Sequence, residues 1–419
     1  MTTIRVLAVI VLPPHLKVSG AARAGERLSY ELAAFDDIEI EIANMAGHVG
    51  EYVPSDSDIR ISRSRPLRHA VRTMNPLARL PFVPNRLRTP LYLSDIPKLI
   101  RRGGYDVVHI HNPTPSIAMW RVARACRRAK VPYVVSTHGF VEIADGSRIN
   151  AMGLLSRIAW SALIVHPVRA VVQDATRMLL LSPADADPVE RLGGGSVPTS
   201  IVSNGVDVTQ CTGEPAHPAS VPTGGEAGLR AFFLANHTPN KGIGVLLDAF
   251  AALDEPFTLV VGGERRSFVD YESAAARCKP GQRIIVTGSL PQEEVDALFE
   301  WADLFVFPTL ADTLPLVVLE AMAHGTAVVA SAVGGIPYEL EGGCGVIVPP
   351  GDAPALAAAI RGLADDMSSR RTMGMAGAER VRSHFTWPAA ARAARGAYYD
   401  TLGIERPSVV EPEVDIARS

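Results

Sequence analysis

The chain has 419 residues, of which 47% are hydrophobic and 20% are charged, and its formal net charge is −3. This length exceeds one typical core and predicts two domains of roughly 200 residues each. The composition is that of a globular protein, and no uncharged run reaches the roughly 18 residues that a bilayer span requires, which argues against an integral membrane protein.

The N-terminus and the cysteines bear on the compartment. Residues 1–12 are apolar, but only Arg5 precedes the apolar core and no small-residue cleavage site follows, so we interpret them as a buried strand and not as a signal peptide. The cysteines, Cys126, Cys211, Cys278 and Cys344, have neither metal-binding nor redox spacing. Both observations favour a cytoplasmic protein with reduced thiols.

The charge is unevenly distributed along the chain. Residues 1–203 hold 25 Lys and Arg against 17 Asp and Glu, about +8, and the remainder holds 16 against 27, about −11. Residues 60–102 contain eleven basic residues and one acid, Asp95. This region suits an anionic membrane surface, with a solvated loop region as an equal alternative. Few aromatic residues accompany the arginines to stack on bases, which argues against nucleic acid.

The first half of the chain alternates strands and helices, as in a doubly wound parallel sheet. The pattern predicts strands over 4–12, 38–43, 106–111, 133–136 and 200–203, and helices over 22–34, 92–102, 116–129, 147–181 and 183–192. A Pro- and Arg-rich region lies between the second strand and the second helix, and within it residues 66–80 are compatible with an interrupted amphipathic helix.

Two features of this half point to a ligand site. Gly20 lies in the turn before the first helix, where backbone amides of residues 19–22 favour a phosphate, although many α/β proteins have such a turn. His138 lies two residues after the strand over 133–136, at the edge where parallel sheets bind ligands. His109 and His111 alternate on the preceding strand. Either of these two fits the edge of the core, and His111 is only a weak site candidate.

The second half repeats the alternation after a turn at residues 204–207 and a Pro-, Gly- and Thr-rich connection over 208–228. It predicts strands over 231–235, 258–262, 284–287, 305–307 and 326–331, and helices over 243–253, 293–301, 316–324, 353–366, 369–384 and 386–403. Residues 404–419, which are acidic and punctuated by proline, predict a disordered tail.

Lys241 lies in the loop between the strand over 231–235 and the following helix. Its charge adds to the partial positive charge of the helix N-terminus, and a diphosphate is bound well by the two together. Asn236, in the same loop, can donate a hydrogen bond but carries no charge. This loop therefore predicts a diphosphate site.

The stretch over 305–352 carries the strongest signal. Asp312 lies in a loop between a strand and a helix, Glu320 lies in that helix, and both face the crevice past the strand ends. Carboxylates accept hydrogen bonds from the paired hydroxyls of a ribose or hexose, and amides of the first helical turn favour a phosphate. The stretch therefore predicts a site for a sugar attached to a phosphate.

This stretch resembles the signature of the retaining glycosyltransferases of family 4, an acid followed after seven residues by Glu-Ala-Met-Ala-x-Gly-x-x-Val-Val-Ala. The matching residues are Asp312, Glu320, Ala321, Met322, Ala323, Gly325, Val328, Val329 and Ala330. The resemblance extends over almost the whole chain but is specific only in the second half. It implies a GT-B fold, in which two Rossmann-like doubly wound parallel-sheet domains face a central cleft.

The resemblance also implies the division of the chain and the roles of single residues. Residues 1–205 would form the acceptor-side domain, residues 206–385 the donor domain, and 386–403 a helix that crosses back to the first domain. Catalysis would involve His138, Asp312 and Lys241. The donor would be bound by Gly20, Asn236, Lys241, Gly288, Leu290, Asp312, Leu314, Leu316 and Glu320.

The implied reaction transfers a sugar from a nucleotide-diphosphate sugar to a hydroxyl acceptor with retention, with neither a metal nor another cofactor. No side chain is assigned as nucleophile, since the leaving phosphate would take the proton of the acceptor. Asn236 stands where the family has arginine, and Pro315 where it has glycine, so altered donor contacts are expected. His237 or an arginine of the first domain would compensate for the missing charge.

The acceptor is expected to be a glycan or a lipid-linked sugar of bacterial surface polysaccharide or glycolipid synthesis, reached at the inner face of the membrane. Three alternatives remain open at this point. A nucleotide-sugar epimerase shares the architecture, a non-catalytic sugar-nucleotide-binding protein fits the two departures, and a glycan phosphorylase would use free phosphate.

Overall fold

The computed structural model describes residues 3–10, 20–44, 66–75, 89–149, 152–208, 217–223 and 228–407. Within these residues the chain forms two halves, and each half is built on its own parallel β-sheet. The predicted fold class is therefore confirmed. The two sheets lie on either side of residue 205, although the exact domain boundary stays a prediction.

The first half has strands β1 (Ile4–Ile10), β2 (Ile38–Asn44), β3 (Leu67–Ala70), β6 (Val107–Ile110), β7 (Tyr133–Ser136), β8 (Arg177–Leu180) and β9 (Thr199–Ile201), with β4 (Thr73–Met74) and β5 (Leu93–Ser94) as a separate antiparallel pair. The strand order in the sheet is β3-β2-β1-β6-β7-β8-β9. Along β1 the side chains alternate between two cores, with Leu7 and Val9 in one and Val6 and Ala8 in the other. Since both faces of the sheet are buried here, β1 is apolar except for Arg5.

The helices of the first half are α1 (Gly20–Leu32), α2 (Ile96–Arg102), α3 (Ser116–Ala129), α4 (Phe140–Ala144), α5 (Gly146–Ile149), α6 (Leu154–Trp160), α7 (His166–Gln173) and α8 (Ala186–Arg191). A π-helical turn, Ser161–Val165, joins α6 to α7, so that Leu154–Gln173 is one continuous helix of 20 residues. Among the described residues, this helix alone is long and apolar enough to cross a membrane by length and composition. One side of it, with Ile164, Val168 and Val172, is buried in the core.

The second half has strands β10 (Leu229–Leu234), β11 (Phe257–Gly262), β12 (Gln282–Gly288), β13 (Leu304–Phe307), β14 (Ala327–Ser331) and β15 (Gly345–Val348), in the order β12-β11-β10-β13-β14-β15. Its helices are α9 (Ile243–Ala251), α10 (Tyr271–Ala276), α11 (Gln292–Trp301), α12 (Leu316–Ala323), α13 (Ile336–Glu339), α14 (Ala353–Ala364) and α15 (Met367–His384). Phe232, Phe299 and Phe305 pack edge to face at its centre, with ring centroids 5.2–5.9 Å apart.

The last helix, α16 (Trp387–Leu402), belongs to the second half in sequence but packs on α1 of the first half. Arg395 binds Asp37 through contacts of 2.5–3.0 Å, and Tyr399 Oη donates to the same carboxylate at 2.5 Å. Burial acts to raise the pKa of Asp37, but these hydrogen bonds and the charge of Arg395 lower it overall. The predicted crossing helix is confirmed.

Several sequence assignments were wrong. Of the region over 66–80, the described residues 66–75 hold β3, which pairs in parallel with β2, and β4, and not an amphipathic helix; residues 76–80 lie outside the described part. The apolar stretch over 147–181 is not helical to its end, because Arg177–Leu180 forms β8 between β7 and β9. Neither β15 nor α10 was predicted. A run of four apolar residues fits a buried strand and a buried helix equally well.

Other predictions fall outside the described residues. They concern the loop over 11–19 that precedes Gly20, most of the predicted tail over 404–419, and part of the connection over 208–228. Six of the eleven basic residues of 60–102 also lie there, namely Arg60, Arg63, Arg65, Arg79, Arg86 and Arg88.

Candidate functional site

A cleft of about 1000 Å³ lies between the two halves, where strands of both sheets end. Most of the predicted site residues line it, namely His138, Asn236, Lys241, Leu290, Asp312, Leu314, Leu316 and Glu320. Its lining includes Ala21 and Arg23, which follow Gly20 in α1, and Ser289 and Leu290 but, among the described residues, not Gly288. The two charged groups on which the prediction depends most, Lys241 and Glu320, thus share one cavity.

Lys241 is held at the cleft by the turn that begins α9. It is the last residue of the 3₁₀ turn Pro239–Lys241, and Gly242 follows with a φ of +72°. A Cβ atom on Gly242 would lie 1.8 Å from the carbonyl oxygen of Pro308, so only glycine fits between this turn and the end of β13. The direction in which Lys241 leaves the backbone is therefore fixed by its neighbour.

Lys241 and Asp312 form an ion pair inside the cleft. Lys241 Nζ lies 2.5 Å from Asp312 Oδ2, and the two side chains are 25% and 17% exposed. Asp312 lies in the loop after β13. A Cβ atom on Gly334 would lie 2.0 Å from the backbone oxygen of Asp312. A half-buried lysine with three donors can bind an anionic oxygen, and the carboxylate beside it can accept from sugar hydroxyls.

Glu320 faces the cleft from α12, the helix that follows Asp312. Burial and the charge of Asp296 raise its pKa to about 7, while Arg23 acts in the opposite direction. The carboxyl group therefore changes its charge near neutral pH. Leu316 and Val317, in the first turn of the same helix, also line the cleft. Pro315 precedes them as the N-cap residue and has no N–H group to offer a ligand.

His138 follows β7 and enters the cleft from the first half. Its ring is 8% exposed, and burial lowers its pKa to about 4, so it is neutral at physiological pH. His109 and His111 are fully buried and stack on each other with ring centroids 3.7 Å apart. His109 contacts Tyr398 Oη and Ser136 Oγ, each at 2.8 Å, so this pair lies in the core beneath α16.

Among the described residues, two charged cleft residues of the first half, Arg23 and Glu142, were not predicted from the sequence. Arg23 lines the cleft from the first turn of α1, opposite Glu320. Glu142 lines it from α4, and its pKa is raised by burial and by Asp312, while Lys241 acts to lower it. Arg23 lies three residues after Gly20, and Glu142 lies four residues after His138. This closeness to a predicted site residue was the feature of the sequence that pointed to each of them. Among the described residues, no group of His, Cys, Asp and Glu could hold a metal ion.

Two family models match the chain, one for each half. Residues 20–210 match the model described as Glycosyltransferase Family 4, and residues 228–366 match the model described as Glycosyl transferases group 1. The chain belongs to the family 4 glycosyltransferases. The predicted family is confirmed, and the protein is a glycosyltransferase with a GT-B fold.

Relatives of this glycosyltransferase differ in what their names say they act on. The phosphatidyl-myo-inositol mannosyltransferase of Mycobacterium leprae is 28% identical over 74% of this chain and 75% of its own length. The D-inositol 3-phosphate glycosyltransferase of Corynebacterium efficiens is 27% identical over 78% of this chain and 79% of its own length.

Solved structures share the fold over nearly the whole chain. Sucrose-phosphate synthase from Thermosynechococcus elongatus superposes with a TM-score of 0.70 at 20% identity, covering 96% of this chain and 99% of its own. HepE from Anabaena, crystallised with UDP-glucose, superposes with a TM-score of 0.65 at 18% identity, covering 96% and 99%.

Proposed function

We propose that this glycosyltransferase moves a sugar from a nucleotide-diphosphate sugar to a hydroxyl acceptor with retention of the anomeric configuration. The observation that carries the proposal is the convergence of Lys241, Asp312 and Glu320 in one cleft between two Rossmann-like halves. A cation, a carboxylate beside it and a second carboxylate nearby match the diphosphate, the transferred sugar and the ribose of such a donor. The presence of UDP-glucose in HepE, which has the same fold, supports this class of donor.

The diphosphate is assigned to Lys241, Asn236 and the first turn of α12. Lys241 supplies a full charge, Asn236 supplies a neutral donor, and the N-terminus of α12 contributes a partial positive charge. Among the described cleft residues, Arg23, which is contributed by the other half, is the arginine that can compensate for the uncharged Asn236. The base is assigned to the loop over 288–290 and the acceptor side to the loop at Gly20.

The transferred sugar is assigned to Asp312 and His138. The neutral ring of His138 can donate one hydrogen bond and accept another, and Asp312 accepts from sugar hydroxyls when Lys241 turns to the phosphate. In the proposed front-side mechanism, the acceptor oxygen bonds to the anomeric carbon as the bond to the phosphate oxygen breaks. The leaving phosphate oxygen takes the proton of the acceptor, so no side chain acts as nucleophile.

We extend the proposal to the acceptor and the place of action. The acceptor is a glycan or a lipid-linked sugar, and a lipid acceptor is supported by the relative named for phosphatidyl-myo-inositol. The enzyme would work in the cytoplasm, at the inner face of the membrane, in surface polysaccharide or glycolipid synthesis. Neither a metal nor another cofactor is part of the proposed reaction.

The first test is a thermal-shift panel of UDP-, GDP- and ADP-sugars, because a ligand that binds the folded state raises the melting temperature. We expect the sugars of one nucleotide to raise the melting temperature. We also expect one of these nucleotide sugars to be consumed when acceptors are added. Binding without turnover on any acceptor would leave a sugar-nucleotide-binding protein, and release of nucleotide without an acceptor would indicate an epimerase. Loss of transfer in chelator would exclude the metal-free reaction, and an inverted product would exclude retention.

A further inference from the structure

One face of the first sheet is covered by α2, α3 and the continuous helix Leu154–Gln173, which together we call the outer helical layer. The helix Leu154–Gln173 runs beside α3 in the same direction. Ser116 Oγ donates to the carbonyl of Leu163 at 2.5 Å, and eleven residues later in both helices Arg127 pairs with Asp174 at 2.6 Å. The two helices therefore share one outward surface.

The long helix extends past the beginning of α3 toward the cleft. Residues 154–162 precede the contact between Leu163 and Ser116, which corresponds to about 13 Å of helix at a rise of about 1.5 Å per residue. Trp160 and Ile164 line the cleft, as does Ser116. The N-terminal end of this helix therefore lies at the cleft entrance, on the side of the first half.

The N-terminal end of this helix exposes large apolar side chains to solvent. Leu154 is 75% exposed, Leu155 is 83% exposed and Ile158 is 58% exposed. Single exposed leucines are ordinary, but three large apolar side chains within two helical turns form a contiguous patch of the kind that contacts a partner or a membrane.

The remainder of the outer helical layer is strongly basic. A depression of about 230 Å³ is lined by Trp120 and by four arginines, Arg101, Arg121, Arg124 and Arg128. A second depression, of about 420 Å³, lies between α3 and α7 and adds Arg127, whose charge is balanced by Asp174. Within the described part of the chain, the four arginines of the first depression form no ion pair with any residue. The Cζ atom of Arg124 lies over the Trp120 ring, 5.5 Å from its centroid.

We propose that the outer helical layer docks on an anionic lipid bilayer, with Leu154, Leu155 and Ile158 inserted among the lipids and the arginines against the phosphates. An apolar anchor on a helix flanked by unpaired arginines is the combination that holds a protein on such a surface. The opposite side of the long helix is part of the protein core, so this helix lies on the membrane and does not span it. This inference rests on the proposed function only for the acceptor, which would enter the cleft from the bilayer beside Trp160 and Ile164.

The test is co-sedimentation of the full-length protein with vesicles of phosphatidylcholine alone or mixed with phosphatidylglycerol. We expect binding only to the anionic vesicles. The triple variant L154S/L155S/I158S should bind at least tenfold more weakly. The triple variant R121Q/R124Q/R128Q should bind about 100-fold more weakly, because each arginine near an anionic surface contributes about 1 kcal/mol.

The matched control is M367S/M375S/R371Q on α15, which removes two equally exposed apolar side chains and one exposed arginine from the second half. Its vesicle binding should equal that of the unchanged protein. Equal binding by all variants, or binding to neutral vesicles alone, would overturn the proposal. Dimers that disappear in L154S/L155S/I158S, without vesicle binding, would also overturn it and would identify a second copy as the occupant. Because vesicle binding is measured without a donor, it separates this inference from the proposed reaction, which a nucleotide thermal shift tests.

Discussion

Replacement of Lys241 by methionine tests the proposed site most directly, because methionine keeps most of the volume and removes the charge. We expect transfer to fall by about 100- to 1000-fold, the usual effect of removing one donor from an oxyanion site. Binding of the nucleotide that the thermal-shift panel identifies should weaken as well. Without Lys241, Asp312 faces Glu142 and Glu339, both of which already interact with it unfavourably and whose pKa values are raised, chiefly by burial. The cleft would then repel a diphosphate.

The same substitution has a predictable effect on stability. The side chains of the pair are 25% and 17% exposed, which is intermediate between a surface pair worth about 0–1 kcal/mol and a buried pair whose disruption costs about 3–5 kcal/mol. We expect K241M to lower the free energy of unfolding in urea by about 2 kcal/mol. The double variant K241M/D312N removes both charges, so it should recover most of this stability but none of the transfer.

Asp312→Asn alone separates the two proposed roles. It leaves Lys241 without a competing carboxylate, so binding of the identified nucleotide should be kept or strengthened, while transfer should fall because a sugar contact is lost. The control is K279M, which breaks an ion pair with Asp254 on the open surface and should change neither property. Unchanged nucleotide binding and unchanged transfer in folded K241M would refute the assignment of Lys241.

Three further predictions concern the groups around the cleft. The pKa of Glu320, about 7 when folded against 4.5 as its ordinary value, means that its contribution to stability decreases as pH rises from 4.5 to 7. E320Q should therefore gain on the order of 2 kcal/mol in unfolding free energy at pH 8 and little at pH 5, and equal gains would refute this. G242A should lower unfolding stability by about 3 kcal/mol through the clash with Pro308 and should weaken nucleotide binding, whereas G244A, whose added Cβ has no neighbour within 4 Å, should do neither. R395M should cost about 3 kcal/mol in urea unfolding because the buried Asp37 carboxylate keeps Tyr399 but loses its charged partner, whereas R406M, in an exposed pair with Asp400, should cost less than about 1 kcal/mol.

The second half was well predicted because its functional groups stand close together in the sequence. Asp312 and Glu320 belong to one βαβ unit, and the position of each relative to the strand end follows from the helix between them. Lys241 was accessible for the same reason, since a strand, a turn and a helix fix it locally. What the sequence did not show is that Lys241 binds Asp312, because the two lie 71 residues apart and are brought together by the pairing of β10 with β13 and by contacts between the loops that follow these strands.

The first half was harder because its structure depends on pairing between distant segments. The four residues of β8 are a strand because β7 and β9 lie on either side of them, and their composition alone fits the end of the preceding helix. β3 likewise depends on its pairing with β2. The alternation of buried residues identifies a strand only where it is long enough to be distinguished from a helix.

The electrostatics of the cleft also depend on both halves together. Arg23 acts on Glu320 favourably, and Glu142 acts on Asp312 unfavourably, and each of these interactions joins a residue of the first half to one of the second. Their strength changes with the distance between the halves, which is set in part by α16 through Asp37 and Arg395. Deprotonation of Glu320 near pH 7 would strengthen its attraction to Arg23. A bound cationic or anionic group would alter this interaction and the one between Glu142 and Asp312. Residues of both domains thus contribute charge to the donor site. For this reason, motifs confined to one domain identify only some of its charged residues.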